Sequence, residues 1–140
     1  MKKSLYYMLS FTWGLPLTLI GLIVGLALVT VGIKPKKWLY GYYFEIGKGW
    51  GGLNLGIVFF CGKGCSTHTK NHEFGHSLQN CVFGIFTFFI VHIPSFIRYW
   101  YRELRRFMGL KNESAYDDIW FEGQATKWGD KFYELYGGEE

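Results

Sequence analysis

Two long stretches without formal charge constrain this chain more than any other feature. The first runs from Leu5 to Ile33 and closes with the almost purely apolar sequence LPLTLIGLIVGLALVTVGI. The second runs from Cys81 to Ile97. A helix needs about 20 apolar residues to cross the roughly 30 Å hydrocarbon core of a bilayer, and the first stretch is long enough. We therefore predict a membrane protein with an N-terminal transmembrane helix.

A cleavable secretory signal peptide is the alternative interpretation of the first stretch. Met1, Lys2 and Lys3 resemble the positive start of such a peptide. However, the apolar part is longer than the usual ~7 to 15 residues, and IKPKKW follows instead of small residues at a cleavage site. The pattern favours a retained transmembrane anchor in residues 1–37, with residues 38–140 forming a second domain.

The charged residues are unevenly distributed, although the net charge is only +4. Basic residues flank the apolar stretches, at positions 34–37 and 98–106, as expected of side chains that anchor at lipid headgroups. Residues 111–140 are mainly acidic. No recognition motif for nucleic acid accompanies the basic groups. We predict the lipid bilayer as a partner and no nucleic acid.

The part of the chain between the apolar stretches is rich in aromatic residues and glycines. It predicts two short strands, residues 38–46 and 53–60, joined by the flexible sequence GKGWGG. A helix is predicted to begin between Ser66 and Thr69 and to continue into the second apolar stretch. The fold class is therefore predicted to be α+β and mostly helical, with a short β-sheet.

This helix carries the sequence HEFGH, His72 to His76. Residues four apart lie on one face of a helix, so the two imidazoles can converge on one metal ion. Glu73 is rotated about 100° from His72, which directs its carboxylate toward a metal-bound water instead of the metal. This arrangement predicts zinc hydrolysis with Glu73 as general base. The alternative is a capped, surface-facing helix start whose histidines only form hydrogen bonds.

A second helix, predicted over residues 114–136, offers a third ligand. Ser114 and Asp117 resemble a capping box. Apolar residues follow near helical spacing at Tyr116, Trp120, Trp128, Phe132 and Leu135. Glu122 is the candidate ligand, because the small residues Ala125 and Gly129 on its side would let this helix approach the histidine helix closely. The alternative is an ordinary exposed helical glutamate.

HEFGH followed by a helix with EGQA resembles the gluzincin zinc metallopeptidases. The apolar surroundings resemble their membrane-embedded members, the CAAX prenyl endopeptidases and the bacterial heat-shock membrane peptidases. The resemblance covers about residues 53–130 and implies that His72, His76 and Glu122 bind Zn²⁺ and that Glu73 is the base. This chain is much shorter than those relatives, so the resemblance does not transfer a substrate.

The chain departs from the family pattern at Thr126, where an aspartate usually follows the alanine. Asp130 is the residue that we expect to replace it as a partner of a histidine. The resemblance also implies that LNLGIVFF lines the cleft and pairs with the substrate backbone, although an ordinary sheet strand is an equal alternative. Candidates for oxyanion stabilisation are His68, Tyr116 and Tyr133.

Cys61, Cys65, His68 and His72 form a rival set of zinc ligands. Their spacing argues against a structural site, because only two residues separate the two ligand pairs and the chain cannot wrap the ion. Cys61 and Cys65 are expected to form a disulfide outside the cytoplasm or to remain free thiols inside it. Cys81 is predicted to be a buried small hydrophobe.

The second apolar segment, residues 78–97, cannot simply cross the bilayer if the site has three ligands. A full crossing would leave the two histidines and Glu122 on opposite sides. We therefore predict that the segment dips into the membrane or packs against the first helix, breaks near Pro94 and returns to the same side. His92 is predicted to be a hydrogen-bonded buried histidine and not a ligand.

The sequence FIRYWYRELRRFMGL follows and predicts an amphipathic helix on the membrane interface. One face carries Phe96, Trp100, Leu104 and Phe107, and the other carries Arg98, Arg102, Arg105 and Arg106. A soluble helix that packs on the zinc domain is the alternative. With this helix, the membrane-associated segment spans residues 78–108.

The sequence thus predicts a membrane-bound zinc metallopeptidase with a zincin-like catalytic domain in residues 38–140 and a peptide or protein substrate. The competing class is a nonenzymatic membrane protein with a structural zinc site or a partner-binding role. We predict an integral protein of a bacterial cell membrane, with the catalytic side in the cytoplasm according to the positive-inside rule. The sequence predicts neither the cleavage specificity nor the protein partner or oligomeric state.

Overall fold

The computed structural model describes residues 1–111 and 118–137, which form an α+β fold that is mostly helical. The helices are α1 (Lys3–Phe11), α2 (Leu15–Thr30), α3 (Thr67–Phe83), α4 (Ile93–Phe107) and α5 (Trp120–Tyr136), and the strands are β1 (Lys36–Trp38), β2 (Gly41–Glu45), β3 (Gly52–Leu55) and β4 (Val58–Cys61). A 3₁₀ turn (Gly84–Phe86) and a π turn (Phe88–His92) connect α3 to α4. The predicted fold class is confirmed at this level.

The sheet contains four short strands in the order β1-β2-β4-β3, so β3 lies at an edge. Only β2 and β4 pair in parallel, and the other two pairs are antiparallel. Each predicted strand is in fact two strands separated by a tight turn. Leu39 and Gly56 have positive φ in these turns, and the side chain of Asn54 accepts a hydrogen bond from the Gly56 amide at 3.0 Å.

The first apolar stretch forms two helices and not the single span that we predicted. α1 and α2 meet at an angle of 91°. The bend fits against α3, because the carbonyl of Gly14 accepts a hydrogen bond from Asn80 at 3.1 Å and the indole of Trp13 donates one to the Val82 carbonyl at 3.2 Å. Within residues 1–111 and 118–137, no unbroken helix has the length and apolar character to span a bilayer, although the bent pairs α1–α2 and α3–α4 do when each is taken together.

The second apolar stretch also bends, and it does so earlier than predicted. α3 begins after Ser66, whose hydroxyl accepts a hydrogen bond from the Thr69 amide at 3.1 Å, which confirms the predicted start. α3 does not continue through the apolar segment, because Gly84 adopts a positive φ and the chain turns by 112° before α4. Pro94 lies where the π turn passes directly into α4, and the chain does not break there.

The core lies between the sheet, α1, α3 and α5. The Tyr6 and Phe74 rings stack at 5.6 Å, and the Phe74 and Phe132 rings lie 5.1 Å apart. The described part of α5 begins at Trp120, so the predicted capping residues Ser114 and Asp117, and Tyr116, lie outside the described residues. Among the predicted apolar positions of α5, Phe132 is buried, whereas Trp120 and Leu135 are exposed.

α4 buries none of its residues. Its predicted apolar face is uncovered, with Phe96, Trp100, Leu104 and Phe107 exposed by 64%, 57%, 54% and 90%. This face is therefore not buried against the rest of the described chain, as the alternative of a soluble packed helix would require.

Candidate metal centre

The three predicted ligands converge. The Nε2 atoms of His72 and His76 lie 3.2 Å apart, and each lies 3.2 Å from Oε2 of Glu122. The two histidines are one helical turn apart on α3, and Glu122 lies in the first turn of α5. Within the described residues, these three side chains form the group that could hold a metal ion.

Two glycines allow α5 to approach α3 closely enough for Glu122 to reach the histidines. A β-carbon on Gly75 would lie 1.9 Å from the carbonyl oxygen of Ala125, and one on Gly129 would lie 1.8 Å from that of Asn71. No larger residue fits at either position without separating the helices. The predicted role of the small residues Ala125 and Gly129 is consistent with this crossing.

Each histidine is oriented by a hydrogen bond on the ring nitrogen that faces away from the site. Nδ1 of His72 lies 2.8 Å from the Thr126 hydroxyl, and Nδ1 of His76 lies 2.8 Å from Oε1 of Gln79. The Gln79 amide in turn donates to the Phe121 carbonyl at 2.7 Å. With the ring proton on Nδ1, Nε2 keeps its lone pair for a metal.

This arrangement corrects one prediction and reveals two contacts that the sequence analysis missed. Asp130 does not replace the family aspartate, because it accepts a hydrogen bond from Asn71 at 2.9 Å instead of contacting a histidine. Thr126 itself, the apparent departure from the family, contacts His72. Gln79 was missed, although its position three residues after His76 on the same helix was an available signal.

The second missed contact involves Glu122, which is 1% exposed. Its Oε1 accepts a hydrogen bond from the Ser95 hydroxyl on α4. Its Oε2 is buried, and within the part of the chain that the structure describes it faces only the two imidazole nitrogens, 3.2 Å away. Burial acts to raise the pKa of Glu122, but the imidazoles of His72 and His76 outweigh it and hold the pKa well below its usual range. The carboxylate is therefore ionised.

The site fits a tetrahedral metal ion. Ligand atoms about 2.0 to 2.1 Å from zinc at tetrahedral angles lie about 3.3 Å from one another. The observed separations of 3.2 Å are close to this value. An ionised oxygen buried against two imidazole nitrogens needs a positive charge beside it, which either an extra proton on an imidazole or a bound cation supplies.

Glu73 lies beside this group without belonging to it. Its side chain is 4% exposed, and burial raises the pKa of its carboxyl, with the two nearby histidines lowering it in part. Burial alone would lower the pKa of His76, but the carboxylates of Glu122 and Glu73 raise it instead. Glu73 thus lies in the same buried environment as the three candidate ligands, with which it interacts electrostatically.

A cavity of about 840 Å³ opens onto the site between β3 and α4, and the three ligand side chains and Glu73 all line it. Edge strand β3 forms one wall, as the resemblance implied for the first part of LNLGIVFF. His68 lines the cavity, whereas Tyr133 stacks on Trp38 at 5.3 Å, and Tyr116 lies outside the described residues. His92 is half-buried, and its Nε2 lies 2.7 Å from the Asn54 carbonyl oxygen, in agreement with the predicted hydrogen-bonded role.

The rival set of cysteine and histidine ligands is not assembled. Cys61 and Cys65 are joined by a disulfide, and His72 faces His76 and Glu122 instead. Cys81 is a buried free cysteine, as predicted.

Comparisons with family models, with characterised proteins and with solved structures find no match to this chain. The similarity to gluzincins therefore depends on the two short motifs and on the geometry at which they meet. Any function assigned to the protein has to be argued from the chemistry of this site.

Proposed function

We propose that the protein is a membrane-bound zinc metallopeptidase. The observation that carries the proposal is the convergence of His72, His76 and Glu122 on one point, with Oε2 of Glu122 buried between the two imidazoles. Two histidines and one carboxylate are a common ligand set of catalytic zinc. The same set binds iron in some oxygenases, but a buried glutamate next to the first histidine supplies the base that hydrolysis needs.

Bound zinc would supply a Lewis acid and lower the pKa of a water molecule toward 7. The chain supplies the remaining functions. Glu73 accepts the proton of the attacking water and transfers it to the leaving amine. Its raised pKa suits this role, because it makes the carboxylate a stronger base toward the proton of water. Edge strand β3 offers backbone groups to an extended peptide in the cavity.

The cavity also distinguishes the proposal from its nonenzymatic alternative. A structural zinc site is closed by four protein ligands, whereas a catalytic site leaves one position open to water or substrate. Here three protein ligands face a cavity of about 840 Å³, which leaves room for a peptide. A purely structural role would not require Glu73 to be buried beside the ligands.

Association with a bilayer is the second part of the proposal. α2, the bend between α3 and α4, and α4 expose many large apolar side chains, among them Ile23, Leu26, Phe86, Phe89, Ile97 and Phe107. No formal charge occurs between Cys81 and Ile97. Large apolar side chains that are exposed on adjoining elements are typical of a surface that contacts a membrane or another protein. We propose that α2 and the bend between α3 and α4 enter the bilayer while the metal centre stays outside it, and retention of the protein in membranes washed at alkaline pH tests the membrane association.

The side of the membrane on which the site lies is also a proposal. Under the positive-inside rule, the lysines at positions 34–37 and the arginines of α4 favour a cytoplasmic site. The Cys61–Cys65 disulfide favours the opposite side, because disulfides persist in oxidising compartments.

The activity is tested with the purified full-length protein in detergent and a mixture of peptides from an unfolded protein. New peptide termini are detected by mass spectrometry. We expect cleavage by the zinc-loaded protein and a loss of about 10² to 10⁴-fold in Glu73→Gln, because an amide cannot accept the proton. Equal cleavage by both proteins, at equal zinc content, would refute the peptidase mechanism.

A further inference from the structure

The hydroxyl of Ser95 donates a hydrogen bond to Oε1 of Glu122, the oxygen that does not face the histidines. Ser95 lies in the first turns of α4, and the two residues are separated by 27 positions in the chain. We propose that Ser95 is a positioning residue of the metal centre, which holds the Glu122 carboxylate so that Oε2 alone faces the metal. This proposal rests on the proposed metal site.

The physical argument begins with the two oxygens of a carboxylate. Either one oxygen or both can bind a metal, and free rotation of the group allows both arrangements. Glu122 is 1% exposed, so water does not satisfy Oε1. A buried carboxylate oxygen without a donor is costly. The Ser95 hydroxyl removes this cost only in the orientation that directs Oε2 to His72 and His76.

The hydrogen bond also gives α4 a function at the site. α4 buries none of its own residues, yet Ser95 lines the cavity together with the ligands. The helix that carries the exposed apolar face is thus linked directly to the third ligand. Any displacement of α4 from this position would remove the donor from Oε1 and release the carboxylate.

The test measures zinc affinity of the full-length protein in detergent by competition with a chromophoric chelator. Partners that orient a ligand typically contribute a factor of 10 to 100 to metal affinity. We expect Ser95→Ala to weaken binding by about this factor. Ser95→Thr, which keeps the hydroxyl, should remain within a few fold of the unmodified protein, and the exposed Ser4→Ala should not change affinity.

A second readout is the visible absorption of the protein loaded with Co²⁺, which reports the number and symmetry of the ligands. Ser95→Ala should change this spectrum because Oε1 becomes free to bind, whereas Ser95→Thr should preserve it. Unchanged affinity and spectrum in Ser95→Ala would overturn the proposal, as would equal weakening in Ser95→Ala and Ser95→Thr. The variant His76→Ala tests the metal site independently of the role of Ser95. Retained zinc in that variant would refute the metal site itself.

Discussion

Gly52 lies directly against the carboxylate of Glu73. A β-carbon on Gly52 would stand 2.3 Å from Oε1 and 2.6 Å from Cγ of Glu73. An added methyl group would therefore displace the whole carboxylate. Because a shift of about 1 Å in a catalytic group can cost 10²-fold in rate, we expect Gly52→Ala to lower peptide cleavage by about two orders of magnitude. Zinc content should not change.

Gly51→Ala is the matched control, because nothing lies within 4 Å of a β-carbon at Gly51. Cleavage rate and zinc content are measured for both variants. If Gly52→Ala cleaves peptides as fast as Gly51→Ala, Glu73 does not act from the position that the structure gives it.

The burial of Glu73 also predicts a pH-dependent cost to stability. Burial raises the pKa of its carboxyl above the ordinary 4.5, so the folded protein holds this proton more tightly than the unfolded chain does. The contribution of Glu73 to the free energy of unfolding therefore falls as pH rises from about 4.5 through the folded pKa. Glutamine carries no such proton. In the presence of a chelator, the Tm of Glu73→Gln minus that of the unmodified protein should therefore increase over this pH range.

The exposed Glu134→Gln provides the control for the loss of one acidic group. Thermal unfolding at several pH values measures the difference for each variant. The same pH profile in Glu73→Gln and Glu134→Gln would contradict the raised pKa of Glu73.

A pair of variants on α5 distinguishes the observed partner of His72 from the one that the sequence suggested. Thr126→Val keeps the shape of the side chain but removes the hydroxyl near Nδ1 of His72, so we expect zinc affinity to fall by about 10 to 100-fold. Asp130→Asn should leave zinc affinity nearly unchanged, because Asp130 contacts Asn71. Chelator competition measures the zinc affinity of both variants. A larger loss in Asp130→Asn than in Thr126→Val would contradict the contact between Thr126 and His72.

The close crossing of α3 and α5 makes Gly129 sensitive to substitution. A β-carbon on Gly129 would overlap the Asn71 carbonyl, so Gly129→Ala must push the helices apart. Overpacking typically costs about 1 to 3 kcal/mol, and the displacement should also weaken zinc binding because Glu122 moves away from the histidines. Denaturant unfolding and zinc titration measure the two effects. The exposed Lys127→Ala on the same helix should affect neither, and a Gly129→Ala protein of normal stability would contradict the close crossing.

The metal-binding group could be predicted because local rules determine most of its geometry. The four-residue spacing of His72 and His76 fixes their common face in any helix. Glu122 followed from the small residues beside it, since only a close crossing makes a ligand on another helix useful. The contacts of Ser95 and Gly52 could not be predicted in this way, because they depend on how α4 and β3 pack around the site.

The bends were the least predictable part of the fold. The stretch that ends at Ile33 has no charge to mark a boundary, and its break before Gly14 follows from hydrogen bonds of Asn80 on a distant helix. Likewise, the chain turns at Gly84, which adopts a positive φ, whereas the helical conformation continues through Pro94 from the π turn before it. Length and composition describe how apolar a segment is, but they do not determine where tertiary contacts divide it.

The last prediction concerns the side of the membrane on which the metal centre lies. Lys63 lies between β4 and α3, and Lys131 lies on α5. Both residues are exposed. In a variant that lacks Cys61 and Cys65, single cysteines at these positions report the location to an impermeant reagent, since Cys81 is buried. If the site is cytoplasmic, both cysteines should be protected in intact cells and react together after permeabilisation. Labelling of both in intact cells would place the site outside, where the disulfide is expected to persist, and labelling of only one would contradict a three-ligand site on one side of the bilayer.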